Sequence, residues 1–442
     1  MERKTKMEPI SIGIISIVVL LALILFIGIP VGFTMALTGA IGILIISGTG
    51  PLFNIISHSP FTTSSDYVFT VIPMFVLMGW LAAEGGISTD LFIAMNKWLG
   101  WLRGGLAMAV SWSCAAFGAV CGCSITTAVT MTSIALPEMR RHKYSDTLST
   151  GILAAGGNLG FLIPPSIGFI IYGIVTETSI GHLFMAGIIP GILLSFLFCV
   201  TIYLICKINP EVAPPSKRLP LREAFKIPLG AWMTIILMLI VLGGIYMGVF
   251  TPTEAGGIGA FGALVLGLAS RRLTWPRFFN ALSNTITTSG MIFILIIGAM
   301  IFSTMLALST LPFALVDIIM SISLNRWVVL ILILILFIIL GFFLDIMSIL
   351  LILLPVTSPI ILAIGFDPVW MGVLTILTVL MGQISPPVGI VVYAVGGAVP
   401  DVPMMTIFKG AAPFFLATFV CLIILIIIPQ LSLFLPGLMF PM

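Results

Sequence analysis

Apolar residues gather along this chain in long runs separated by Pro, Gly and a few charged positions. The runs extend over roughly 10–28, 31–47, 69–83, 104–136, 147–177, 184–206, 228–250, 253–269, 290–307, 327–357, 370–399 and 407–428. A helix needs about 20 such residues to cross a hydrocarbon core, so the pattern predicts an all-α polytopic membrane protein. The longest runs exceed one ordinary crossing, and these carry a polar or Gly/Pro break near the middle. Such breaks predict re-entrant hairpins and interrupted helices, because irregular backbone at membrane depth needs protein or a cavity beside it.

The breaks repeat. Phe161–Tyr172 reads FLIPPSIGFIIY and Gln383–Tyr393 reads QISPPVGIVVY, so Pro164/Pro165 and Pro386/Pro387 lie 222 residues apart. At similar spacing Pro30 matches Pro252, Gly79 matches Gly298, and Gly118–Thr127 matches Gly341–Ser348. Two halves follow, about 1–210 and 226–442, joined by the polar linker Asn209–Arg222. Arg140, Arg141 and Lys143 have no basic counterparts in Ser358–Val369, whereas Arg271, Arg272 and Arg277 correspond to the Lys/Arg-free segment 48–68. Under the positive-inside rule the halves are inverted repeats. With 104–136 and 327–357 as hairpins, and 147–177 and 370–399 as broken crossings, each half makes five crossings. Every Lys and Arg except Arg3, Lys4, Lys6 and Arg326 then falls on the cytoplasmic side. The expected parts are scaffold helices and an amphipathic arm in 1–103, hairpin and broken helix in 104–206, a cytoplasmic linker 207–227, a second scaffold and arm in 228–326, and a second hairpin and broken helix in 327–442. The arms are 86–101 and 309–325.

Composition narrows the function. Hydrophobic residues make up 60% and charged residues 7%, against about a quarter charged in soluble domains. A net charge of +3, scattered, gives no nucleic-acid surface. All six cysteines fall in apolar segments, so neither a disulfide framework nor a metal at Cys121–Cys123 is expected. His58, His142 and His182 are placed in loops, and no segment pairs a nucleophile with a base, which argues against an enzyme. The first apolar run has no small-residue cleavage signal before Pro30 and is read as a retained helix.

Candidate chemistry lies at the breaks. In FGAVCGCSITT (Phe117–Thr127) small residues let the backbone turn, and Ser124, Thr126 and Thr127 offer oxygens to a partly dehydrated cation or a polar substrate group. Its counterpart GFFLDIMS holds Asp345, a carboxylate inside a long apolar run, which fits a coupling-ion ligand. In GGNLGFLIPPS (Gly156–Ser166) and GQISPPVG (Gly382–Gly389) the prolines remove amide donors and free nearby carbonyls. A half-helix starting after each Pro-Pro would aim amides at an anion. Asn158, Ser166, Gln383 and Ser385 are the side chains expected to add specificity, with Thr127 and Ser348 beside them. Thr251-Pro252-Thr253-Glu254 has the spacing of a capping box and predicts a helix start.

Together GVFTPTEAGG (Gly248–Gly257), GFFLD, ISPPVG, GFLIPPSI and IALPEM (Ile134–Met139) resemble the large membrane subunit of tripartite ATP-independent periplasmic (TRAP) transporters, over nearly the whole chain. That resemblance implies a multi-pass protein of the bacterial inner membrane with an elevator-type fold, importing a small organic anion with Na⁺. It also implies a separate small four-helix membrane subunit and a periplasmic binding protein as partners. Carried over to this chain, it places one Na⁺ site around Gly122, Ser124 and the Gly156–Pro164 break, and another around Gly341, Asp345 and the Gly382–Pro386 break. Thr127, Asn158, Ser166, Ser348, Gln383 and Ser385 are the expected substrate ligands. The chain departs from the family pattern at Cys121 and Cys123, at Thr378 and Leu380, and at Val391 and Val392. Two other readings of the sequence are a single-component ion-coupled anion carrier and a polytopic membrane enzyme or scaffold.

Overall fold

The computed structural model describes residues 8–214, 229–322 and 324–439. The basic residues Arg3, Lys4, Lys6, Lys217, Arg218, Arg222 and Lys226, and most of the linker, lie outside them. Among the described residues every regular element is helical. Seven helices are long and apolar enough to cross a membrane, or eight if one bent pair counts as a span. Five crossings in each half would need some of the shorter apolar helices as well.

The first half begins with α1 (Pro9–Ala22), α2 (Val31–Ser47), α3 (Thr49–Ser65), α4 (Val71–Glu84) and α5 (Ile87–Leu99). A helical hairpin follows, α6 (Gly105–Cys121) and α7 (Ser124–Arg141), and then α8 (Asp146–Gly157), α9 (Leu159–Leu162), α10 (Ile167–Val175) and α11 (Ile180–Ile208). The second half repeats the order with α12 (Leu229–Tyr246), α13 (Pro252–Ala269), α14 (Trp275–Ser309) and the short α15 (Leu311–Ser321). Its hairpin is α16 (Arg326–Gly341) and α17 (Ile346–Ala363). Its broken segment is α18 (Pro368–Gln383) and α19 (Ile390–Ala398), followed by α20 (Met404–Ile427) and α21 (Gln430–Gly437).

Both Pro-Pro pairs interrupt helices. The segment Asp146–Leu162 bends by 44° into α10. There Ser166 caps the new helix, its Oγ accepting from Phe169 N. The second break is longer. α19 starts only at Ile390, after Gly389 in a left-handed conformation (φ 57°), so its half-helix does not begin at the Pro-Pro pair as the first one does. The capping box is present: Thr251 N donates to Glu254 Oε2 (2.9 Å), and Glu254 N donates to Thr251 Oγ1 (3.3 Å).

Several expectations need correction. The segment 48–68 is not a loop but carries α3, and His58 lies within it. His182 sits in the first turn of α11, and His142 caps the end of α7. The run 290–307 is only the later part of α14, a helix of 35 residues whose first half mixes aromatic, polar and small residues. Hydropathy marks where lipid is met; helices continue past it wherever no breaker intervenes.

Packing interlocks the two halves. α2 lies along α14, and α4 along α13 and α14. The hairpins exchange partners across the halves: α10 packs on α17, and α19 packs on α7. Outside the apolar region Arg140 ties the end of α7 to Asp146 (2.8 Å) and to Asp401 (2.7 Å) before α20. Arg272, between α13 and α14, reaches the buried Asp90 of α5 at 2.8 Å.

Candidate functional site

Each hairpin turns where the neighbouring broken helix is unwound. At the first tip Gly122 takes a left-handed φ of 64°, and a Cβ there would stand 2.9 Å from the Pro165 carbonyl oxygen. The conformation and the close approach together require glycine. Gly122 O accepts from Ile167 N (3.4 Å), and at the second tip Phe342 O accepts from Gly389 N (3.3 Å). Both tips thus meet the backbone at the start of a post-break helix.

Below each tip two glycines bring backbones into contact. A Cβ on Gly118 would overlap Gly160 Cα, and one on Gly382 would come within 2.5 Å of Gly341. This explains a correction: Gly156 and Gly382 are not in unwound backbone but inside α8 and α18. They are small because helices cross there, and a Cβ on Gly156 would press on Cys114 Sγ at 3.0 Å. The unwound residues are Ile163–Ser166 and Ile384–Gly389.

A cavity of about 680 Å³ joins the two tips. Cys123, Ser124 and Ile125 reach it from the first, and Asp345, Met347 and Ser348 from the second. Phe161 and Gln383 close it from the two broken helices. The remaining wall comes from the start of α2 (Gly32, Phe33) and the middle of α14 (Thr287, Thr288, Met291). This wall was missed by the sequence reading. The polar stretch TITTSG just before the apolar run of α14 was its available signal.

Polar groups around the cavity differ in how far they are satisfied. Asp345 caps α17: its Oδ2 accepts from Ser348 N (3.1 Å), and Ser348 Oγ donates to Oδ1. Gln383 Nε2 donates to Leu344 O (2.7 Å), fastening the second break to the second tip. At the first tip the buried oxygens Ser124 Oγ, Thr127 Oγ1 and Asn158 Oδ1 have no hydrogen-bond partner. Asn158 does use its amide, donating from Nδ2 to Leu380 O (2.8 Å) across the two halves. Buried polar groups are normally paired, so three such oxygens close together call for an explanation.

Of the residues expected to bind substrate, Ser348 and Gln383 line the cavity, beside Ser124 and Asp345 of the expected Na⁺ sites. Ser166 and Ser385 do not: their hydroxyls donate to Phe161 O (2.5 Å) and Met381 O (2.8 Å). A serine in dry surroundings saturates itself on the nearest carbonyl, here one left over by the broken helix. Thr127 and Asn158 lie behind the first tip instead of in the cavity wall, Thr127 against Gly160. Pro164 and Pro386 lie in the unwound segments, each followed by a second proline.

The family model for the "Tripartite ATP-independent periplasmic transporter, DctM component" matches residues 18–431. The C4-dicarboxylate TRAP transporter large permease protein DctM of Pseudomonas aeruginosa is 35% identical over 405 residues, covering 91% of this chain and 94% of that protein. The sialic acid TRAP transporter large permease protein SiaM of Vibrio cholerae is 33% identical over 416 residues, covering 94% and 96%. Among solved structures the YdaH transporter of Alcanivorax borkumensis superposes with a TM-score of 0.65 at 14% identity, covering 97% of this chain and 98% of that one. It shares the fold alone.

Proposed function

Because this chain belongs to the DctM component family of tripartite ATP-independent periplasmic transporters, a multi-pass inner-membrane permease and not an enzyme, we propose that it imports a small organic anion together with Na⁺. The observation that carries the reading is the meeting of both tips and both breaks around one cavity, with three unpartnered buried oxygens at the first tip. Ser124 Oγ, Thr127 Oγ1 and Asn158 Oδ1 suit a cation that must shed water, since hard oxygen donors replace its hydration. At the second tip Asp345, with the carbonyls of Gly341 and the second break, would hold another. Na⁺ is here a co-transported substrate. Its binding would fix the tips, and the anion would follow.

In this reading the hairpins and broken helices of 104–206 and 327–442 move as inverted repeats in an elevator stroke. The helices α2, α4, α13 and α14 stay as scaffold, with α5 and α15 as arms. A small four-helix membrane subunit and a periplasmic binding protein, as separate chains, would complete the system. The test is uptake by proteoliposomes containing all three components: a Na⁺ gradient should drive accumulation. Equal uptake with choline in place of Na⁺ would overturn the sodium coupling.

A further inference from the structure

We propose that Cys121 and Cys123 together form a binding site at the first tip for a soft monovalent cation with a filled d shell, Ag⁺ or Cu⁺, held linearly between the two sulfurs. The pair stands on either side of Gly122, at positions where the chain departs from its family's pattern, so the site is a property of this chain and not of the fold. Gly122 has φ 64° and ψ 14°, a left-handed helical conformation. Helical backbone of either hand keeps the flanking residues closer together than extended backbone does. Both sulfurs also turn to one group: the Thr126 hydroxyl donates to Cys123 Sγ at 3.5 Å and reaches the Cys121 thiol as well.

The donors choose the ion. Thiolates and thioethers select soft ions such as Cu⁺ over hard ones. The expectation that no metal sits at Cys121–Cys123 counts ligands for a tetrahedral ion such as zinc, and among the described residues no group of three or more His, Cys, Asp or Glu could hold one. A linear ion needs only two. Ser124, the next residue, offers an oxygen suited to a hard ion, so the thiols are a separate site of opposite softness.

Access runs through the cavity. Cys121 is 5% exposed and lies behind the turn, whereas Cys123 opens into the cavity. Met291 and Met347 line the same space and put thioethers along the way in. Asp345 is the one charged group among the described lining residues, and its field favours a cation. Binding replaces both thiol protons: one Ag⁺ and two thiols give a bis-thiolate complex with one net negative charge, and two protons leave. That charge stands at the start of α7, whose amide dipoles favour it.

The experiment uses the purified full-length chain in lipid nanodiscs, in chloride-free nitrate buffer, with Ag⁺ as the probe. After graded additions of silver nitrate, free thiols are alkylated with N-ethylmaleimide and each cysteine is read by peptide mass spectrometry. Cys199, half-buried on α11 and outside the cavity wall, is the internal reference for a single thiol. Silver should protect Cys123 at a concentration roughly tenfold or more below that protecting Cys199, because the second thiol acts at high effective concentration. Cys121→Ser should close that gap, and Cys121→Ala gives the same reading if the serine variant melts early. Equal protection of the two thiols in the unmutated chain, a gap that survives the loss of Cys121, or a Cys123 that the maleimide never reaches would each overturn the site.

Discussion

The two hairpin tips occupy the same place in their halves and solve the same local problem differently. At the second, Asp345 caps α17 and Gln383 binds the tip carbonyl of Leu344, so the polar groups are consumed within the protein. At the first, the residues 222 positions earlier are Cys123 and Phe161, and neither side chain caps a backbone amide or binds a tip carbonyl. Thr126, the counterpart of Ser348, donates to the Cys123 sulfur at 3.5 Å and to no carboxylate. The first tip therefore keeps oxygens and amides in reserve, while the second spends them on its own turn. Equivalent positions share their backbone geometry, and differences at single positions decide which side chains are tied up within the turn.

The largest effect expected from this contrast is on the second tip. Asp345→Asn keeps the cap shape and removes the charge, and Na⁺-driven uptake in proteoliposomes should fall below a tenth of wild type while the purified protein stays folded. Near-normal uptake would make Asp345 a cap alone. Next come the glycine crossings: Gly160→Leu or Gly382→Leu forces helices apart, and overpacking of this kind costs about 1–3 kcal/mol or more. Thermal melting in detergent should show the loss for both, and an unchanged midpoint at either would break the equivalence of the halves.

Cys123→Asp, which gives the first tip the cap of the second, should stabilise α7 by about 1 kcal/mol and weaken anion binding. A stabilised protein with unchanged uptake would separate capping from cargo. Ser124→Ala should raise the Na⁺ concentration for half-maximal uptake several-fold with little change in stability. The smallest effect belongs outside the tips, where Thr251→Ala removes a cap at roughly 1 kcal/mol with no change in Na⁺ dependence.

Much of this architecture is legible in the sequence because membrane depth penalises irregular backbone, so Pro164/Pro165 and Pro386/Pro387 announce their own importance. The capping box at Thr251 reads equally directly, since it is local. What escaped was of three kinds. The helix α3 and the first half of α14 mix polar with apolar residues, and a hydropathy pattern leaves such stretches out of its helices. Ser166 and Ser385 look like ligands by position, yet the direction of a hydroxyl depends on which carbonyl the break frees. The cavity wall at Thr287 and Thr288 needs contacts between the halves, and no linear pattern carries those.

The paired glycines beneath the tips have a mechanical consequence. Gly118 touches Gly160 and Gly341 touches Gly382 with no side chain between, so there is no compressible layer to absorb sliding. A displacement of either turn is transmitted undiminished to the interrupted rod beside it. Any large shear must then be taken up elsewhere, along the seam facing α2 and α14, where side chains separate the surfaces.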